Sequence, residues 1–261
     1  MSTADVALHA PRPGARRLTR PGLGRLTLVE LRKMVDTRAG FWLQFSVVAL
    51  TLLVVVVTAL VGHDEDHTLA DFLNNSVQPS SVLLPVVGIL LVTSEWSQST
   101  TLTTFALVPQ RSRVIVAKLL ASLVLSVTAF AICFALSLIG TAVSAGGVDG
   151  AWHLSAGLAG QILFYLSVSM LGGVAFGAAL LSSAPAIVLS FVLPIAWGIV
   201  SSVVSWLDDA GRWLDAGRTW APLTDHLLSG TEWARVLTTI AVWVCVPLAV
   251  GLWRILRSEI K

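Results

Sequence analysis

Apolar residues along this chain gather into five belts, 40–62, 81–94, 114–142, 157–204 and 236–253, with polar segments between them. The belts run past ten residues without the strict apolar–polar alternation of a half-buried strand. Backbone N–H and C=O groups in hydrocarbon must be satisfied internally, so belts of this kind predict helices. About 20 helical residues suffice to cross a bilayer. The segment 41–61 is the plainest span, interrupted only by Gln44, Ser46, Thr51 and Thr58. The second belt has a continuous core of only 82–92 and reaches spanning length when extended to about 76–96, with Pro85 in its first third. The third ends at Ala145-Gly146-Gly147.

From 151 to 207 the chain carries no charge for 57 residues. A straight helix of that length would reach roughly 85 Å, nearly three bilayer cores. It must double back, and the only punctuation is Ser182-Ser183-Ala184-Pro185, where proline suits the first turn of a new helix. The expected fold is therefore all-α and membrane-integral. It has six transmembrane helices at about 40–62, 76–96, 114–142, 157–181, 185–204 and 237–256.

Two further segments have helical patterns. In 25–38, Leu28, Leu31 and Val35 lie on one face and Arg32, Lys33 and Asp36 on another, which predicts a basic helix in the membrane interface just before the first span. In 206–228, Trp206, Ala210, Trp213 and Leu214 form a stripe, with Asp208, Asp209, Arg212 and Asp215 facing away. Residues 1–24, rich in Arg, Pro and Ala, predict a disordered basic tail with no cleavable signal peptide. Glycines 172, 173 and 177 form a small-residue ridge for close helix contact, with the neighbour unspecified. Pro85, Pro194 and Pro247 interrupt spans.

Charge then orients the map. Assigning the connections alternately to two sides puts 14 of the 17 Lys and Arg on the side of the N-terminus. The other side has only Arg212, Arg218 and Arg235, and it has ten of the 15 carboxylates. By the positive-inside rule both termini are cytoplasmic, with the 1–24 tail. A chain 55% hydrophobic and 12% charged fits a membrane solvent, since soluble proteins average about 25% charged residues. Trp42, Trp96 and Trp253 fall at inner span ends, Trp152, Trp206 and Trp233 at outer ends, as the aromatic belt requires. Trp197 and Trp243 read as packing residues, and Cys133 and Cys245 as buried small hydrophobes with no disulfide.

Catalytic signatures do not emerge. None of Lys33, Lys118 and Lys261 sits in a phosphate-binding GxxxxGK[ST] loop, and GxSxG and HExxH are absent. His63-Asp64-Glu65-Asp66-His67 has metal-ligand residue types, but it also reads as a solvated acidic loop. We assign no catalytic residue and no metal ligand. The absence of Asp, Glu, Lys and Arg from span centres disfavours a proton pathway and favours an apolar or amphipathic cargo.

The connection 95–118, EWSQSTTLTTFALVPQRSRVIVAK, is the most informative segment. Glu95 closes the second span, a Thr-rich stretch apolar enough to dock but too short to cross follows, and Pro109, Arg111, Arg113 and Lys118 lead into the third. Glu95 and Arg111 flank this stretch, with charges suited to pairing across its base. This pattern resembles the permeases of the ABC-2 transporter family. The helix before span one, with Glu30, Arg32 and Lys33, resembles that family's elbow helix. The usual Gly-Thr pair reads Ser99-Thr100 here.

The resemblance covers essentially the whole chain. It implies a coupling helix after span two, with Glu95, Ser99, Thr100, Leu102, Thr103, Phe105 and Arg111 as coupling residues and Thr100, Leu102, Thr103 and Phe105 docking on a separate ATPase. It implies two ATPase subunits carrying ATP and Mg, a second permease subunit, identical or related, surrounding lipid, and no nucleic acid. This chain itself would bind no cofactor. The expected function is the permease subunit of an ATP-driven exporter of a drug, antibiotic, peptide or lipid in a bacterial cell membrane. A non-transporting sensor or immunity protein of the same fold, and a membrane-embedded metal-dependent enzyme, are the rival readings.

Overall fold

A computed structural model of the protein describes residues 22–61, 68–97, 111–144 and 150–257. Among these residues the secondary structure is helical and without strands, and six helices are long and apolar enough to cross a membrane. A helix before the first span, α1 (Leu23–Asp36), is joined through Thr37 to α2 (Arg38–Val61). Then come α3 (Leu69–Ser97), α4 (Arg111–Ser144), α5 (Ala156–Leu180) and α6 (Ser183–Val203). Short helices α7 (Asp208–Leu214), α8 (Ala216–Trp220) and α9 (Pro222–Asp225) lead to a final span built from α10 (Gly230–Ile240), a π-helical turn (Ala241–Cys245) and α11 (Val246–Arg257).

Helices α3 and α5 form the centre, with α2, α4, α6 and α11 around them. The glycine ridge explains why the central pair lies so close. A Cβ on Gly173 would sit 1.9 Å from the Pro85 carbonyl oxygen, and one on Gly88 2.4 Å from that of Met170. Only glycine lets backbones approach this closely, and in a membrane such contact replaces the hydrophobic drive between helices. The ridge therefore packs inside its own chain. Around this contact Leu84, Val87, Leu91, Ile162, Leu166 and Met170 are fully buried. Hydroxyls join the neighbouring helices: Ser76 to Ser137 at 3.1 Å, Ser80 to the Cys133 thiol at 3.3 Å and Thr51 to Ser80 at 3.5 Å.

Several boundaries differ from the sequence expectation. Helix α3 begins at Leu69, seven residues before the predicted start, because Leu69, Phe72, Leu73 and Val77 recur at helical spacing and are buried. The polar Asn74, Asn75 and Gln78 conceal that stripe. Helix α6 starts at Ser183, so Pro185 is its third residue, and Leu181 (φ 55°) makes the left-handed turn before it. The predicted 206–228 helix is broken into short pieces, Trp206 is 80% exposed, and Asp215 is buried, not outward-facing. Asp215 caps α8 by accepting from the Gly217 N–H at 2.9 Å. The last span starts at Gly230, extended by a capping box between Ser229 and Glu232. Cys133 is buried as expected but Cys245 is exposed, and both are free thiols.

The glycine contact has a measurable signature. Gly173→Ala should lower the midpoint of thermal unfolding in detergent by several degrees, reflecting an overpacking cost of about 1–3 kcal/mol. Gly160→Ala, where nothing lies within 4 Å of the added methyl, should leave it unchanged. Equal midpoints for the two variants would refute the close approach.

Candidate functional site

Four charged side chains from three helices meet at one end of the bundle. Glu30 and Lys33 lie one turn apart on α1, Glu95 ends the spanning part of α3, and Lys118 lies in the second turn of α4. Lys118 Nζ is 2.6 Å from Glu30 Oε2 and 3.4 Å from Glu95 Oε2. Lys33 Nζ is 2.8 Å from Glu30 Oε1 and 2.5 Å from Glu95 Oε1. Each carboxylate thus bridges the two ammonium groups. Lys118 also donates to the Leu91 carbonyl oxygen at 2.8 Å. Glu30, Glu95 and Lys118 are nearly inaccessible, while Lys33 keeps about a third of its side chain exposed.

Burial of such charges is costly unless each finds a partner, and removing one partner from a buried set costs about 3–5 kcal/mol. The cluster satisfies this condition by being neutral in sum. For Lys33, burial opposes the charged form most strongly, but hydrogen bonds and Coulomb attraction from Glu30 and Glu95 outweigh it and hold the ammonium pKa above its ordinary 10.5. A raised folded-state pKa stabilises below the unfolded value and loses that contribution only as pH rises through the raised one. Lys33 therefore remains charged throughout the neutral range.

The cluster ties α1 to the two helices that bracket residues 98–110. Helix α1 packs with Thr27, Glu30 and Met34 inward and leaves Leu28, Val29 and Val35 exposed. Of the expected elbow residues, Glu30 and Lys33 enter the cluster, whereas Arg32 is exposed. Glu95 meets Lys33 and Lys118, and Arg111 opens α4. Ser99, Thr100, Leu102, Thr103 and Phe105 lie outside the described residues, as do His63 and His67. The role of Lys118 escaped the sequence reading because Glu30 is 88 residues away. The one local hint was a lysine placed inside an apolar helical start. Ile255 of α11 lies beside Glu95 and Lys118, so both ends of the described chain reach the same end of the bundle.

Toward the opposite end lies a cavity of ≈ 580 Å³ between α3, α5, α6 and the last span, with α8 and α9 over it. Its deeper wall is apolar, with Pro85, Gly173, Phe176, Pro194 and Val244. Its upper wall carries Asn74, Asn75, Gln78, Tyr165, Ser169, Thr224 and Asp225. Polar anchors hold the cover down. Gln161 donates to the His226 carbonyl oxygen at 2.8 Å and accepts from the Leu228 N–H at 3.0 Å. Asn74 donates to Asp225 at 3.1 Å, and the Trp243 indole to the Leu214 carbonyl oxygen at 2.8 Å. None of these partners is a sequence neighbour, so the cavity was not legible in the chain. Among the described residues no group of three His, Cys, Asp or Glu could hold a metal ion.

The charge cluster makes its own prediction. Lys118→Met should destabilise the purified chain by about 3–5 kcal/mol, because it takes from two buried carboxylates a cation that both contact. Adding Glu30→Gln should recover part of that loss. Thermal or denaturant unfolding of both variants measures it, and equal losses would show that the four groups are not coupled.

No protein-family model matches the chain, and no curated protein matches it.

Proposed function

We propose that this chain is the membrane-spanning subunit of an ATP-driven exporter with a hydrophobic or amphipathic cargo. The observation that carries the reading is the buried cluster joining Glu30 and Lys33 to Glu95 and Lys118. It fastens three helices near the end of α3 and the start of α4, the two elements that bracket 98–110 in the sequence. A force applied to that connection reaches α1, α3 and α4 together, which is what coupling to a soluble motor requires. The resemblance to ABC-2 permeases supplies the motor: two ATPase subunits with ATP and Mg, docking on Thr100, Leu102, Thr103 and Phe105. A second permease subunit completes the assembly. The cluster end and both termini then face the cytoplasm of a bacterial cell, in accord with the 14-to-3 sorting of basic residues.

In this reading α1 is an elbow helix in the inner interface, with Leu28, Val29 and Val35 toward the acyl chains. The cavity between the central helices is where cargo would be held. Among the described residues drawn from the spans around it none is charged, which argues against a proton-coupled cycle.

Two measurements test this function. Phe105→Asp should leave the permease folded and inserted but abolish co-purification of the ATPase or transport, since an unpaired charge in an apolar contact costs several kcal/mol. Normal partner binding and transport by that variant would reduce 98–110 to an interfacial loop. In a cysteine-free background, Asp209→Cys should react with an impermeant thiol reagent in intact cells and Ser112→Cys should not. Labelling at 112 without permeabilisation would overturn the orientation.

A further inference from the structure

The cavity has a chemistry of its own. Among the described residues its lining includes one carboxylate, Asp225, and no lysine, arginine or histidine. Five aromatic side chains share the wall, among them Tyr165 and Trp220, whose rings meet edge to face at 6.3 Å. Arg218, the nearest arginine along the chain, is turned toward Asp208 at 3.2 Å and Asp215 at 3.4 Å, and the ring of the adjacent His226 lies 3.1 Å from Glu232. We propose that this cavity binds an amphipathic cation.

Each part of that ligand answers a feature of the wall. Oδ1 of Asp225 accepts from Asn74 at 3.1 Å and from the Thr224 hydroxyl at 3.5 Å, and Oδ2 keeps acceptor capacity for a cationic donor. Aromatic faces attract the same charge, most strongly within about 6 Å of a Trp ring. Ser169, only 5% exposed, adds a hydroxyl to the same wall. Phe176, Phe191 and Pro194 take an apolar body. At ≈ 580 Å³ the space falls within the range of about 300–1,000 Å³ used for drug-sized molecules. An anion would face Asp225 with no counter-charge, and a pure hydrocarbon would leave that carboxylate unanswered.

As a statement about cargo this rests on the exporter reading, but the binding it predicts belongs to the chain alone. The full-length chain in phosphatidylcholine nanodiscs should bind rhodamine 6G, a cationic xanthene ester, saturably by fluorescence anisotropy. Fluorescein, an anionic dye on the same xanthene frame, should not bind. Asp225→Asn should weaken rhodamine 6G about tenfold, the loss of one favourable charge contact of about 1.4 kcal/mol. Trp220→Phe should weaken it severalfold, while Gly160→Ala leaves it unchanged. Comparable binding of the two dyes by the wild-type chain overturns the proposal without recourse to any variant, as does unaltered rhodamine affinity in a folded Asp225→Asn chain. The two readings also fail separately. Saturable rhodamine binding without ATP-driven transport by the assembled complex sinks the exporter and keeps the site. ATP-driven export of a neutral amphipath by a chain that does not bind rhodamine 6G does the reverse.

Discussion

The fold depends on how closely two backbones can approach in a solvent that gives apolar side chains no reason to associate. Gly88 and Gly173 bring α3 and α5 into carbonyl contact, and each lies against the partner helix at a point where a methyl group would not fit. Other helices then pack on an axis already set. The cavity lies immediately beyond this pinch, with Pro85 and Gly173 at its floor. Tight packing below and space above are two results of one geometric choice, because helices held close at one level diverge at the next.

At the other end the organising force is electrostatic. Four charges cancel at distances of 2.5–3.4 Å with three of them almost out of solvent. Such a set is weak evidence for extra stability, since hydrophobic replacements often match it. Its specificity is the informative part. A carboxylate that must touch two particular ammonium groups permits one arrangement of α1, α3 and α4, where greasy contacts would permit several. Thr37 alone separates α1 from α2, so the first span is held by the same constraint.

Six spans were legible in the sequence because apolar length is a property of consecutive residues. The parts that failed share a cause: their stabilising partners are distant. Asn74 reads as loop, yet it lies on a helix whose other face, with Phe72, Leu73 and Val77, is fully buried. The 206–228 stripe suggested one helix with Trp206, Ala210, Trp213 and Leu214 on a single face, but Thr239 and Trp243 bond the Trp213 and Leu214 carbonyls and favour a broken path. Glu30 and Lys33 were singled out on α1 without sight of Lys118, since nothing local pairs them. The candidate cavity was invisible for the same reason, being made by five separate stretches of chain.

The π turn at Ala241–Cys245 has a further consequence. Proline 247 would press its ring on the carbonyl four residues back, and a turn wound one residue wider relieves that crowding. Buried positions in the last span run 236, 239, 244, 251 and 255, so the step from 239 to 244 is five where three or four is usual. That extra residue is a phase shift of about 100° between the two halves of the helix. It lets Val244 face the cavity while Gly251 still fits against Ala178. The last span therefore has a reading frame: losing one residue there would leave the hydropathy profile almost unchanged and turn one half of the helix to the wrong neighbours.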